Sequence, residues 1–183
     1  MTKDPVIENE ILKLRRVRPS DAESIFEAVN ESVVEVSPWM PWCSLDYSLE
    51  KSKSWCETRD EAWKKGTEYD FVIIDKPNNF LLGVCGLNHI NVEEKFANLG
   101  YWVRTKKTKQ GIATAVVPMI VKFGFDNLNL HRMEMVIAVG NLPSQRVAEK
   151  AGAFREGLLR QRLFVHGQIL DAFMFSFVPA DFI

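Results

Sequence analysis

Residues 99–115 confine this chain to folds in which a strand feeds a helix through a short polar turn. Leu99-Gly100-Tyr101-Trp102-Val103 is strand-like, Thr105-Lys106-Lys107-Thr108-Lys109-Gln110 is polar and basic, and Gly111-Ile112-Ala113-Thr114-Ala115 opens a helix with small residues. A helix that begins this way leaves its first backbone N–H groups without intrahelical partners and directs the positive end of its dipole at them. Gly111 and Ala113 let that backbone approach a bulky anion such as a pyrophosphate, and the loop lysines can meet phosphates farther out. The same residues also suit a plain connection with solvated lysines. Neither GxxxxGK[ST] nor GxGxxG occurs, which argues against mononucleotide kinases and Rossmann dehydrogenases.

Elements of the same kind alternate along the rest of the chain. A first strand is expected over residues 11–16, then a helix capped by Ser20 with Glu23 three residues on, carrying Ile25, Phe26 and Val29 inward. A loop is expected over residues 32–47, holding Ser37-Pro38-Trp39-Met40-Pro41-Trp42. A second helix begins near Ser48 and stops at Gly66. Strands follow over 69–74, 81–90 and 97–104, the first pair joined by Lys76-Pro77-Asn78-Asn79. Helix 111–126 contains Pro118, which removes a backbone bond at a cost of about 3 kcal/mol. A strand over 133–139, a helix over 142–151 closed by Gly152, and a hairpin of 154–165 with 169–178 complete the series.

Length and charge bound the rest. The 183 residues suit a single domain over 1–183, with neither repeats nor a Pro/Ser-rich linker. The net charge of -1 gives no global attraction to nucleic acid or to a membrane surface. The opening MTKDPVIENE lacks the apolar core of a signal peptide, and no stretch approaches the ~20 apolar residues of a membrane span. Cys43, Cys56 and Cys85 are odd in number and lack CxxC spacing, and His89, His131 and His166 are scattered. The expectation is a cytoplasmic, reduced, metal-free protein.

Four segments together carry a resemblance. Thr108-Lys109-Gln110-Gly111-Ile112-Ala113 is similar to the acetyl-CoA motif Q/R-x-x-G-x-G/A of the GNAT acetyltransferases, with Thr108 where Gln or Arg is usual. Gly100-Tyr101-Trp102-Val103 resembles the GYW-type strand of the RimJ/RimL branch. Asn141-Leu142-Pro143-Ser144 with Ala148-Glu149-Lys150-Ala151-Gly152-Ala153-Phe154 resembles its N-x-x-S…K-x-G-F segment, with Phe154 one place late. Residues 12–21 resemble the family's opening. Trp39-Met40-Pro41-Trp42 resembles the W-x-P-W loop of RimL-like members, which acetylate the N-terminal serines of ribosomal proteins.

The resemblance implies a mixed α/β GNAT fold. Its central sheet is twisted and mostly antiparallel, of about six or seven strands with a splayed parallel pair, flanked by about four helices. It implies acetyl-CoA as cosubstrate, with no metal. The pantetheine arm would pair with Tyr101 and Val103, and an N–H near Trp102 or Val103 would polarise the thioester carbonyl. Thr108, Lys109, Gln110, Gly111, Ile112, Ala113 and Thr114 would hold the pyrophosphate, and Asn141 the arm. Ser144 would lie near the sulfur as general acid, or else bond a backbone N–H at the start of its helix. Many members place a Glu base where Asn98 stands here, and Asn98 cannot take a proton; Glu93, Glu94 and Asp171 are nearby carboxylates with ordinary structural readings. An α-amine, with a pKa of about 7.7–8.0, needs less help from a base than a lysine does.

Trp39, Met40 and Trp42 form either a substrate wall or a buried plug. The leading reading is acetylation of a protein N-terminal amine, such as that of a ribosomal protein. A small-molecule amine is the second, with Asp46, Glu50 and Glu57 as pocket carboxylates, and a non-catalytic acyl-CoA-binding module is the third. Many family members are homodimers, and no residue here locates an interface.

Overall fold

Unbroken apolar runs in residues 71–74 and 81–87 mark strands covered on both faces, and the computed structural model, which describes residues 5–182, sets them inside one eight-stranded sheet. The strands are β1 (Val6–Glu8), β2 (Leu12–Arg16), β3 (Tyr69–Asp75), β4 (Phe80–Asn91), β5 (Phe96–Val103), β6 (Arg132–Ala138), β7 (Phe154–Val165) and β8 (Gln168–Phe177). They lie in the order β1-β2-β3-β4-β5-β6-β8-β7, and β5 with β6 is the parallel pair. The fold is the expected mixed α/β type, with β1 added at one edge. Three residues beside Asn9 are too short to carry a strand pattern of their own. Residues 1–4 and 183 of the expected domain lie outside the described residues.

Four helices cover the sheet: α1 (Ala22–Val36), α2 (Leu49–Lys65), α3 (Ile112–Leu128) and α4 (Leu142–Lys150). The first two pack on one face with Val17, Val72, Val84 and Trp102, and α3 and α4 on the other with Phe71, Leu87, Met133 and Phe175. Helix α2 has the ends its sequence called for, with Ser48 Oγ accepting from Lys51 N at 3.3 Å and Gly66 left-handed at φ 68°. Pro118 sits inside α3 without ending it, because Val116, Val117, Ile120 and Val121 are buried along one side and tertiary packing holds the helix.

The start of α1 differs from expectation. Asp21 rather than Ser20 organises it: its Oδ2 accepts from Arg18 N at 2.8 Å, and its two oxygens take the Arg15 guanidinium at 2.7 and 2.8 Å. Helix α1 also runs through Ser32, where a loop was expected. Ser32 is buried there, and its Oγ accepts from Thr105 N at 3.0 Å, so a residue read as a loop opening ties α1 to the end of β5.

Glycines set two close approaches. A Cβ on Gly83 would lie 2.1 Å from the Trp102 carbonyl oxygen and 2.9 Å from Val103 Cα. Those are backbone atoms of β5, so Gly83→Ala is expected to cost about 1–3 kcal/mol, read as a lowered denaturant midpoint. Gly124→Ala is the matched control. Its Cβ would meet the flexible end of Met133 at 2.0 Å, and the helix gains about 1 kcal/mol in propensity, so the net change is smaller.

Candidate active site

Strands β5 and β6 pair only at Phe96↔Arg132, Ala97↔Met133 and Asn98↔Glu134, although they continue to Val103 and Ala138. Beyond the third pair they diverge and leave a cleft. Arg104 N donates to Leu82 O at 2.7 Å, so β5 faces β4 through its even-numbered residues in this stretch. Alternation then turns the N–H and C=O groups of Tyr101 and Val103 toward the cleft. The N–H of Trp102 is turned to β4, which leaves Val103 as the cleft-facing amide of the two expected.

Helix α4 closes the far side. Asn141 caps it, its side chain accepting from Ser144 N at 3.2 Å. Ser144 Oγ lies 2.9 Å from the Tyr101 hydroxyl, so a hydrogen-bonded hydroxyl pair spans the cleft. Burial pushes the Tyr101 phenol up to about 12, against a smaller lowering by Ser144, which keeps it a neutral proton donor across the ordinary pH range.

The basic loop after β5 is anchored from below. The buried Arg104 guanidinium donates from Nε to Leu81 O at 2.8 Å, from Nη1 to Glu31 Oε2 at 3.2 Å and from Nη2 to Ser24 O at 3.3 Å. Lys109 and Gly111 are left-handed at φ 62° and 79°, which turns the chain into α3. The first bond into that helix is Ala115 N to Gly111 O, 2.9 Å, so the amides of Ile112, Ala113 and Thr114 precede the ladder. A Cβ on Gly111 would meet nothing within 4 Å: the space over this turn is open. Open space, unsatisfied amides and Lys109 fit a phosphate group.

On the opposite face a cavity of about 440 Å³ lies beneath α1 and α2. Asp70, Gly86 and Gly100 stand in one row across its floor, paired Asp70↔Gly86 and Gly86↔Gly100. Trp42, Tyr47, Trp55 and Trp102 wall it, with Trp42 5.9 Å from both Tyr47 and Trp102 between ring centres. Arg59 Nη1 donates to Asp70 Oδ2 at 2.8 Å and also to Glu68. Burial pushes the Asp70 carboxyl up to about 6, the Arg59 charge pulling the other way.

Residues 12–153 match the acetyltransferase (GNAT) domain. The chain belongs to the GNAT acetyltransferases. It is 27% identical over 173 residues to the uncharacterized N-acetyltransferase p20 of Bacillus licheniformis, covering 94% of this chain and 96% of that one. It is 22% identical over 168 residues to the ribosomal-protein-serine acetyltransferase of Escherichia coli (strain K12), covering 92% and 93%. Mycobacterium smegmatis RimJ, solved in complex with CoA-disulfide, superposes with a TM-score of 0.87 at 25% identity, covering 97% of this chain and 88% of that one.

Within this GNAT domain the expected site residues fall into separate groups. Tyr101, Ser144 and Asn141 meet at the cleft, and Lys109 to Thr114 form the turn into α3. Thr108 closes a helical turn on itself, its Oγ1 donating to Thr105 O at 2.8 Å. Met40 and Trp42 line the α1–α2 cavity, whereas Trp39 lines a second cavity of about 470 Å³ with Val139, Gly140, His166 and Asp171. Trp102 contributes its ring to the first cavity.

The carboxylates expected for a small-amine pocket are elsewhere. Asp46 is exposed and held down to about 2 by bonds from Lys51 and Ser44, and Glu50 and Glu57 point to solvent. Asn98 donates to Asn88 Oδ1 at 2.8 Å, Glu93 and Glu94 lie on an exposed turn, and Asp171 accepts from Gln161 N at 2.7 Å. The carboxylates that do line the cavity, Glu68 and Asp70, carry no motif. Among the described residues no group of His, Cys, Asp and Glu is placed to hold a metal ion, and no helix is long and apolar enough to cross a membrane.

Proposed function

We propose that the chain, as one acetyltransferase domain, moves an acetyl group from acetyl-CoA to a primary amine, and that this amine is a protein N-terminus with a small first residue. The observation that carries this reading is the Tyr101–Ser144 hydroxyl pair at the mouth of a strand cleft that opens toward an amide-rich turn. The likeness to ribosomal-protein acetyltransferases supports the choice of a protein amine.

The residues divide the work. Backbone groups of Tyr101 and Val103 receive the amides of the pantetheine arm as a third strand would. The Ile112, Ala113 and Thr114 amides and Lys109 take the pyrophosphate. The Val103 N–H meets the thioester oxygen where negative charge develops. Ser144, backed by Tyr101, delivers a proton to the departing sulfur. Trp42 and Met40 seat the residue bearing the amine. The acetyl donor supplies the activated carbonyl; the protein supplies alignment, which is worth the most in a direct transfer.

A small-molecule amine is the second reading, favoured by Glu68 and Asp70 facing the aromatic cavity. The two separate in a screen of purified protein with acetyl-CoA, following CoA release. Peptides with a free N-terminal Ser or Thr are expected to turn over, and acetylated copies of the same peptides are not. Turnover confined to polyamines or aminoglycosides overturns the protein-amine reading, and CoA binding without turnover on any amine makes the protein a non-catalytic module.

A further inference from the structure

Asn98, the last β5 residue paired with β6 before the cleft, carries an amide that cannot take a proton and is committed to Asn88. The floor of the α1–α2 cavity offers another group. Asp70, Gly86 and Gly100 are aligned by register on three neighbouring strands, and both glycines lack a side chain to cover the sheet. A Cβ on Gly100 would have nothing within 4 Å, so the space above it is open. A Cβ on Gly86 would fall 2.6 Å from Asp70 Oδ1, so the carboxylate leans across the sheet toward Gly100. Among the described residues only its other oxygen, Oδ2, carries a hydrogen bond, from Arg59.

We propose that Asp70 is the proton acceptor for the attacking amine, reached over the glycine floor from the cleft beside Gly100. Adjacent strands are about 4.8 Å apart, so an oxygen above Gly86 reaches an ammonium above Gly100 directly or through one water. Side chains at either glycine would block that line. Arg59 holds Oδ2, fixing the carboxylate in place and favouring its ionised form against burial, while Oδ1 faces the cavity. The assignment rests on the acetyl-transfer reading above.

The proton count closes. The substrate ammonium gives one proton to Asp70 and becomes a neutral amine. Its nitrogen bonds to the thioester carbon, and the carbon–sulfur bond breaks. The second nitrogen proton passes to solvent as the amide forms, the sulfur gains one from Ser144, which Tyr101 and solvent restore, and Asp70 returns its own to solvent, so one proton is released overall. The charged and titratable groups around Asp70 are Arg59 and Lys51 from α2, Glu68 ahead of β3, Cys85 on β4, Tyr47 on the loop before α2 and Tyr101 on β5.

Asp70 must be ionised to act, so kcat falls as pH drops through the carboxyl's titration, near 6 in the free protein. Asp70→Asn, nearly isosteric and still able to accept from Arg59 through its amide oxygen, is expected to lower kcat at least ~10²-fold with CoA affinity within error of the parent. Arg59→Gln removes the cation that favours the ionised form, so the acid limb of kcat is expected to move to higher pH. A purely structural role for Asp70 predicts no such movement. Asp70→Asn at parental kcat, or an Arg59→Gln acid limb that stays put, overturns the assignment while leaving acetyl transfer intact. If the parent acetylates no amine in the screen above, acetyl transfer falls and this assignment with it.

Discussion

Tyr101→Phe is expected to lower kcat by about 10²-fold while the dissociation constant for CoA changes little. The phenol touches Ser144 Oγ at 2.9 Å, and removing it leaves the serine without the partner that orients its proton. Ser144→Ala should lose a comparable factor. Because the two hydroxyls act as one donor, the double variant should be no slower than the slower single variant, a non-additivity that a double-mutant cycle reads directly. Losses that multiply would mean that the hydroxyls serve separate steps. Unchanged turnover of Ser144→Ala across the pH range would remove Ser144 from the role of acid altogether.

Arg104→Ala is expected to cost about 3 kcal/mol of folding stability. The guanidinium is buried and ties the end of β5 to β4, through the Leu81 carbonyl, and to α1, through the Ser24 carbonyl and Glu31. Its loss leaves buried acceptors unsatisfied and a void where the side chain stacked against Phe80, 4.5 Å from the ring centre. For a chain of this size the melting temperature should fall by roughly 6–12 °C. CoA binding should weaken as well, because Ser32 and Glu31 on α1 hold the amides of Thr105 and Lys106 only while α1 and β5 stay in register. Arg104→Lys keeps the charge but cannot bond three acceptors in different directions, so it should restore only part of the loss.

What could be read from the chain was what local chemistry determines. The ends of α2 follow from Ser48 and Gly66, and the β7–β8 hairpin from His166-Gly167, both left-handed in the structure. The turn into α3 was legible because a polar basic stretch ending at Gly111 separates a strand-like run from a helix-forming one. Ser32 was misread because serine is a weak helix former and its hydroxyl partner, Thr105, is far away in sequence. Asp70 could not be found locally at all: its place in line with Gly86 and Gly100 exists only after three strands are in register. The available signal was the pair of glycines, Gly86 and Gly100, inside apolar strands, a pattern that marks close approach by another group. Trp39 and Trp42 were read together, yet a tight turn between them sends their rings to different cavities.

The brief contact between β5 and β6 has a thermodynamic consequence. Three residue pairs join a five-stranded half of the sheet to a three-stranded half, with α3 packed beneath both. Any extended molecule that bonds to both strands past Asn98 acts as a keystone across this seam. It favours the folded state by RT ln(1 + [L]/Kd), about 2.7 kcal/mol at a hundredfold excess over Kd. The resistance of this fold to heat and proteolysis is then tied to how much of that molecule the cell keeps available.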